Sequence, residues 1–78
     1  MLTSAQCRAA RGLINWNQQQ LADAAGVGVA TVRLFEGGKG EQRRSTLTVI
    51  RQALEAAGVE FTDGDRPGVR LRRVRRKD

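Results

Sequence analysis

Residues 17–37 contain two short amphipathic patterns separated by a turn, and this arrangement constrains the fold more than any other part of the chain. Asn17 is a favoured helix N-cap, and Gln20, three residues later, completes the spacing of a capping box. Gly26 stands where a left-handed residue ends a helix, and a second helical pattern follows from Val29 to Glu36. Two helices joined by so short a turn are typical of a helix-turn-helix.

The apolar positions of this segment predict how its two helices pack. Trp16 and Leu21 have the spacing of a hydrophobic staple at the start of the first helix. Val32 and Phe35 lie three residues apart on one face of the second helix. Ala22 is small where the helices must approach each other closely. We therefore expect one shared core; its predicted members are Ile14, Trp16, Leu21, Val27, Val32, Phe35, Leu47, Ile50 and Leu54.

This segment resembles the helix-turn-helix of the phage-repressor and Cro type, the Xre-like regulators. The residues that carry the resemblance are Gln18, Ala22, Gly26, Val32 and the string Phe-Glu-Gly at 35–37. The resemblance extends from Arg11 to about Gly58, and it implies a DNA-binding transcriptional regulator. It also implies an ion pair between Arg11 and Glu36 that ties the first helix of the chain to the motif. The alternative is an ordinary helical hairpin of a small bundle.

The flanking sequence predicts two more helices. Thr3 and Gln6 have capping-box spacing at the start of a helix that should run to Ile14, with Asn15 as a left-handed cap. A longer helix should begin near Ser45 or Thr46 and end at Gly58.

From Val59 the apolar period changes from 3.6 to 2, which predicts a β-hairpin around the turn sequence Asp-Gly-Asp-Arg-Pro-Gly. We expect its apolar residues, Val59, Phe61, Val69 and Leu71, to pack on the fourth helix or on a second subunit. The predicted fold class is mainly α: a four-helix, repressor-like DNA-binding domain with a helix-turn-helix and a C-terminal β-hairpin. The predicted divisions are the helical domain at 1–58, the hairpin at 59–73 and a basic, disordered tail at 74–78.

The net charge of +6 does not by itself indicate that the motif binds DNA. Residues 1–65 hold seven cationic and seven anionic side chains, so the whole excess lies in residues 66–78. Residues 70–77 either follow DNA phosphates or reach a minor groove as a flexible arm, or they only increase solubility. The DNA interpretation therefore depends on the local pattern of the motif.

The second motif helix, at about 28–37, should enter the major groove. Arg33 is the one outward side chain able to grip guanine O6 and N7 in a bidentate bond, so we expect sparse direct readout. The predicted base contacts are Val29, Ala30, Thr31, Arg33 and Leu34. The predicted phosphate contacts are Asn17, Gln18, Gly28, Lys39, Arg43 and Arg44. Because one small helix gives limited affinity, a homodimer on paired half-sites is expected.

Composition argues against other classes. The chain has no histidine or tyrosine, and its single cysteine, Cys7, is expected to be a buried hydrophobe. We therefore predict no enzymatic activity, no cofactor and no metal site. No targeting or membrane-spanning segment is apparent, which predicts a cytoplasmic protein without a membrane partner. Two alternatives remain: an antitoxin-like or adaptor module that binds a protein partner, with DNA binding secondary, and an RNA-binding protein that uses the tail.

Overall fold

The computed structural model describes residues 1–72, which form four helices followed by one two-stranded antiparallel hairpin. The predicted tail at 74–78 and the last predicted hairpin residue, Arg73, lie outside the described residues. No helix within residues 1–72 is long and apolar enough to cross a membrane. The elements are α1 (Ser4–Ile14), α2 (Gln18–Ala25), α3 (Val29–Glu36), α4 (Arg44–Ala56), β1 (Val59–Thr62) and β2 (Gly68–Leu71).

Both predicted capping boxes are present at the helix starts. The Thr3 hydroxyl accepts from the Gln6 backbone N–H at 3.0 Å, and the Gln6 side chain accepts from the Thr3 N–H at 3.0 Å. Asn17 and Gln20 make the same reciprocal pair at 2.7 and 2.8 Å. These bonds satisfy amides that have no partner inside the helix, which fixes where α1 and α2 begin.

Left-handed residues end the first two helices, as the sequence predicts. Asn15 has φ 56° and Gly26 has φ 73°. After Gly26, the Val27 N–H returns to the Ala22 carbonyl at 3.0 Å, which completes the helix end and turns the chain toward α3.

The fourth helix begins slightly earlier than Ser45, the first residue that the sequence suggested. The Leu47 N–H donates to the Arg43 carbonyl at 3.1 Å, so Arg43 is the N-cap and Arg44 the first helical residue. Arg43 offers no side-chain cap, and a search for Ser or Thr caps therefore misses this start.

One apolar core joins the helices and the hairpin. Of the predicted members, Leu21, Val32, Leu47, Ile50 and Leu54 are buried, whereas Ile14, Trp16, Val27 and Phe35 are partly buried around them. The core also contains Leu2, Cys7, Ala10, Ala22 and Val59. The sequence predicts the burial of Cys7, the close packing of Ala22 and the packing of Val59 separately from the list of core members.

The hairpin packs against both α1 and α4 of its own chain. In its register Val59 lies opposite Leu71, and Phe61 lies opposite Val69, so these four apolar residues share one face. The sequence pattern predicted that all four would be packed. Leu71 departs from this expectation, because it is the last residue of β2 and remains 51% exposed.

A buried amide fastens the hairpin to α1. The Gln6 side-chain nitrogen donates to the Thr62 carbonyl at 3.0 Å and to the Gly68 carbonyl at 3.2 Å. Gln6 thus caps its own helix with one end of its amide and holds both strands with the other. The sequence indicated the first role only.

Candidate nucleic-acid interface

The end of α3 is held by a paired carboxylate in the protein interior. Arg11 of α1 grips Glu36 with two parallel bonds, from Nε to Oε2 at 2.7 Å and from Nη2 to Oε1 at 2.6 Å. The side chain of Glu36 is 3% exposed and that of Arg11 is 19% exposed. A bidentate pair of this kind fixes the relative orientation of the two helices as well as their distance.

Three further groups converge on Glu36. The Gln18 side-chain nitrogen at the start of α2 donates to Oε1 at 3.0 Å, and the Cys7 thiol donates to Oε2 at 3.1 Å. Arg8 donates from Nη1 to the backbone carbonyl of Glu36. We call Cys7, Arg8, Arg11, Gln18 and Glu36 the Glu36 cluster. It connects α1, α2 and the last residue of α3.

The electrostatics of the cluster keep the carboxylate ionised. Burial alone raises the pKa of Glu36, but the hydrogen bonds from Arg11, Gln18 and Cys7 and the charge of Arg11 oppose it, and the pKa lies below its ordinary value. Burial raises the pKa of the Cys7 thiol, and the neighbouring carboxylate raises it further. Cys7 therefore acts as a neutral donor rather than as a thiolate nucleophile.

The cluster bears on one predicted phosphate contact. The Gln18 amide nitrogen donates to Glu36. The side chain that was predicted to contact a DNA phosphate therefore has a partner inside the protein. Asn17 likewise uses its side-chain oxygen to cap α2. Both residues stand at the start of the same helix, where the backbone amides also point outward.

The exposed face of α3 is narrower than the predicted set of base contacts. Successive helical residues are rotated by about 100°, so Ala30, Arg33 and Leu34 share the face opposite the buried Val32. All three are exposed, and Leu34 is exposed to 51%. Thr31 is half-buried.

Val29 was predicted to contact a base, but it packs partly against the core. It lies in the first turn of α3, on the side that returns toward the protein. The nearby Gly28 is exposed at the N-cap and supplies no side-chain cap. The first turn of α3 therefore presents mainly backbone and the Ala30 methyl group.

Exposed cations follow the end of α3. The Lys39 N–H donates to the Leu34 carbonyl at 3.0 Å, which places the Lys39 backbone at the end of this helix. Arg43 and Arg44 are exposed at the start of α4. In the chain through residue 72, neither these three residues nor Arg33 forms an ion pair, and Glu41 is the one anion among residues 37–44.

Cys7 and Arg8 are members of the cluster that sequence reasoning did not assign to it. Their spacing from Arg11 was an available signal, because residues separated by three and four positions share one side of a helix. The pattern of α1 alone did not reveal that a carboxylate from α3 would face them.

Comparison with known proteins does not add a functional assignment. No protein-family model matches the chain, and no curated protein matches it significantly.

Proposed function

We propose that this protein binds double-stranded DNA, with α3 in the major groove, and acts as a small, cytoplasmic transcriptional regulator of the Xre-like type. The observation that carries the proposal is that α3 is anchored to the protein on one side and exposed on the other. The Glu36 cluster anchors the inner side of α3, while Ala30, Arg33 and Leu34 on its outer side are exposed.

A groove-reading helix must be rigid before it meets DNA, because ordering it during binding would cost affinity. α3 has only eight residues, too few to be stable alone. Its attachments to α1 and α2 through Glu36, and its buried Val32, supply the order that the isolated helix lacks.

The exposed charges also support DNA binding. Arg33 can reach the guanine edge, where two acceptors match its two donors. Lys39, Arg43 and Arg44 lie in sequence just beyond α3 and can neutralise phosphates, which contributes affinity and register with little sequence preference. The amides at the starts of α2 and α3, near Gln18 and Gly28, suit further phosphate oxygens.

We also propose that the functional unit is a homodimer. One α3 offers a single arginine and two apolar side chains to base edges, and such a small surface gives limited affinity. Two copies related by a two-fold axis would double the contacts and match a palindromic site.

The test is selection of bound duplexes from a random pool, followed by affinity measurements on the enriched sequence at several salt concentrations. We expect affinity to fall steeply as salt rises, because cations on the protein displace counterions. Arg33→Ala should cost about 1 to 3 kcal/mol and relax one base position. Arg66→Ala removes the same charge from the hairpin turn and serves as the control. If Arg33→Ala binds DNA as the wild type does, and removal of residues 73–78 abolishes all binding, then residues 73–78 and not α3 bind the DNA.

A second candidate function is binding to another protein, as an antitoxin-like or adaptor module. The observation that favours it is Leu71, a large apolar side chain left 51% exposed at the end of the hairpin. A protein partner that covers Leu71 would co-purify with the wild-type chain and be lost from Leu71→Ser, with no duplex retained at moderate salt.

A further inference from the structure

Part of the outer face of α3 is apolar. Ala30 and Leu34 are four residues apart, so they stand one above the other on the helix surface. Arg33 lies beside them, and Thr31, the one neutral polar side chain of the helix, is half-buried. This surface lacks the asparagine or glutamine amide that reads adenine and the carboxylate that reads cytosine.

Isolated exposed leucines are common on proteins, but the surroundings of this one limit what can cover it. Arg33 adjoins Leu34 in the chain, and the backbone of Lys39 bonds to the Leu34 carbonyl. Neither cation has an ion-pair partner within residues 1–72. An apolar protein surface would have to desolvate these charges, whereas a DNA groove surrounds an apolar group with phosphates of opposite sign.

The major groove offers one apolar group, the C5-methyl of thymine. We propose that Ala30 and Leu34 determine specificity by packing against thymine methyls, with Arg33 reading a guanine beside them. This inference rests on the proposed function and names its substrate class: duplexes whose preferred site places thymine methyl groups opposite α3. Recognition on this side of the helix depends on burial of methyl groups instead of hydrogen bonds.

The experiment uses the duplex enriched by selection and the same duplex remade with deoxyuridine in place of thymidine. Uracil keeps the base-pairing edge and the O4 acceptor and lacks only the methyl group. We expect affinity to fall about 4-fold for each contacted methyl that is removed. Single substitutions along the site should confine the loss to a few positions.

Protein variants assign the effect to its side chain. Leu34→Ala should bind the thymidine duplex more weakly and lose most of the difference between the two duplexes. Leu71→Ala is the matched control, because Leu71 is equally exposed but lies in the hairpin, and it should keep the full difference. Arg33→Ala should weaken binding and retain the sensitivity to methyl removal.

The outcomes separate this inference from the function on which it rests. Full affinity of the wild-type protein for the uracil duplex would overturn methyl recognition and leave DNA binding intact. An equal loss on both duplexes in Leu34→Ala would give Leu34 a structural role and also overturn it. Failure to enrich or bind any duplex would overturn the proposed function itself.

Discussion

Arg11 and Glu36 form a two-bond ion pair across 25 residues of sequence, and the carboxylate end of this pair is almost fully buried. Their different exposures predict different responses to mutation. The Arg11 side chain keeps some access to water. The buried Glu36 carboxylate has lost its water, so hydrogen bonds and charge from its protein partners must stabilise it instead.

Removal of Arg11 should therefore be costly. Arg11→Met should lower the free energy of unfolding by about 3 kcal/mol, because it leaves a buried carboxylate without its cation. Urea unfolding followed by circular dichroism measures the change. The control is Arg70→Met, which breaks the Arg70–Glu60 pair on the hairpin, where Arg70 is 74% exposed; it should cost less than about 0.5 kcal/mol. Equal losses in the two variants would show that burial of Glu36 does not matter.

The lowered pKa of Glu36 predicts acid sensitivity. A carboxyl group whose pKa is depressed in the folded state stabilises the fold at high pH. This contribution is complete above the pKa of the unfolded chain, near the ordinary value of 4.5, and is lost as the pH falls through the lower pKa of the folded protein. Unfolding free energies measured between pH 6 and pH 2 should show a decline below roughly pH 4.5.

Glu36→Gln should be less stable at neutral pH and should have a shallower decline in acid, since it lacks the titrating group. Glu60→Gln, which changes a hairpin carboxylate whose side chain is 40% exposed, should follow the wild-type profile. A decline of unchanged steepness in Glu36→Gln would assign the acid sensitivity to other carboxylates.

Gln6 and Gln20 occupy equivalent positions in two capping boxes, but only Gln6 also bonds to the hairpin. Gln6→Met should cost about 2 kcal/mol, because it removes the cap and leaves two strand carbonyls without their donor. Gln20→Met should cost less than about 1 kcal/mol. Hydrogen exchange adds a local test: amide protection in residues 59–71 should fall in Gln6→Met and persist in Gln20→Met.

Gly26 and Gly12 should respond to alanine in opposite directions. Neither position has an atom within 4 Å of an added Cβ, so space does not decide the outcome. Gly26 has φ +73°, where a Cβ is strained, and Gly26→Ala should destabilise by about 1 to 2 kcal/mol. Gly12 lies inside α1, and Gly12→Ala should stabilise by about 0.5 to 1 kcal/mol. Thermal unfolding of the two variants beside the wild type is sufficient to check both signs.

The sequence predicted the helix boundaries well where local chemistry decides them. The Thr3 and Asn17 caps and the left-handed Asn15 and Gly26 each depend on neighbours within a few residues. The predicted start of α4 lay too late in the sequence, because its N-cap, Arg43, has no capping side chain. That boundary depends on the path of the preceding loop, which local propensity does not determine.

Longer-range features were predicted less completely. The spacing of residues could not show that the Gln6 amide reaches two strands more than fifty residues away, or that Cys7 and Arg8 join Arg11 around one carboxylate. Val29, by contrast, lies three residues before Val32 and seven before Glu36, so helical spacing already favours the inner side of α3, where Val29 packs partly against the core. The prediction that Val29 contacts a base overlooked this spacing. The DNA contacts themselves stay predictions.

The division of α3 into an anchored side and a free side has a consequence for how this protein could diversify. Positions 30, 33 and 34 contribute little to the interior, so they can be exchanged together while Val32 and Glu36 are kept. Under the proposed function, a small library randomised at those three codons would retain one scaffold throughout and sample different base preferences.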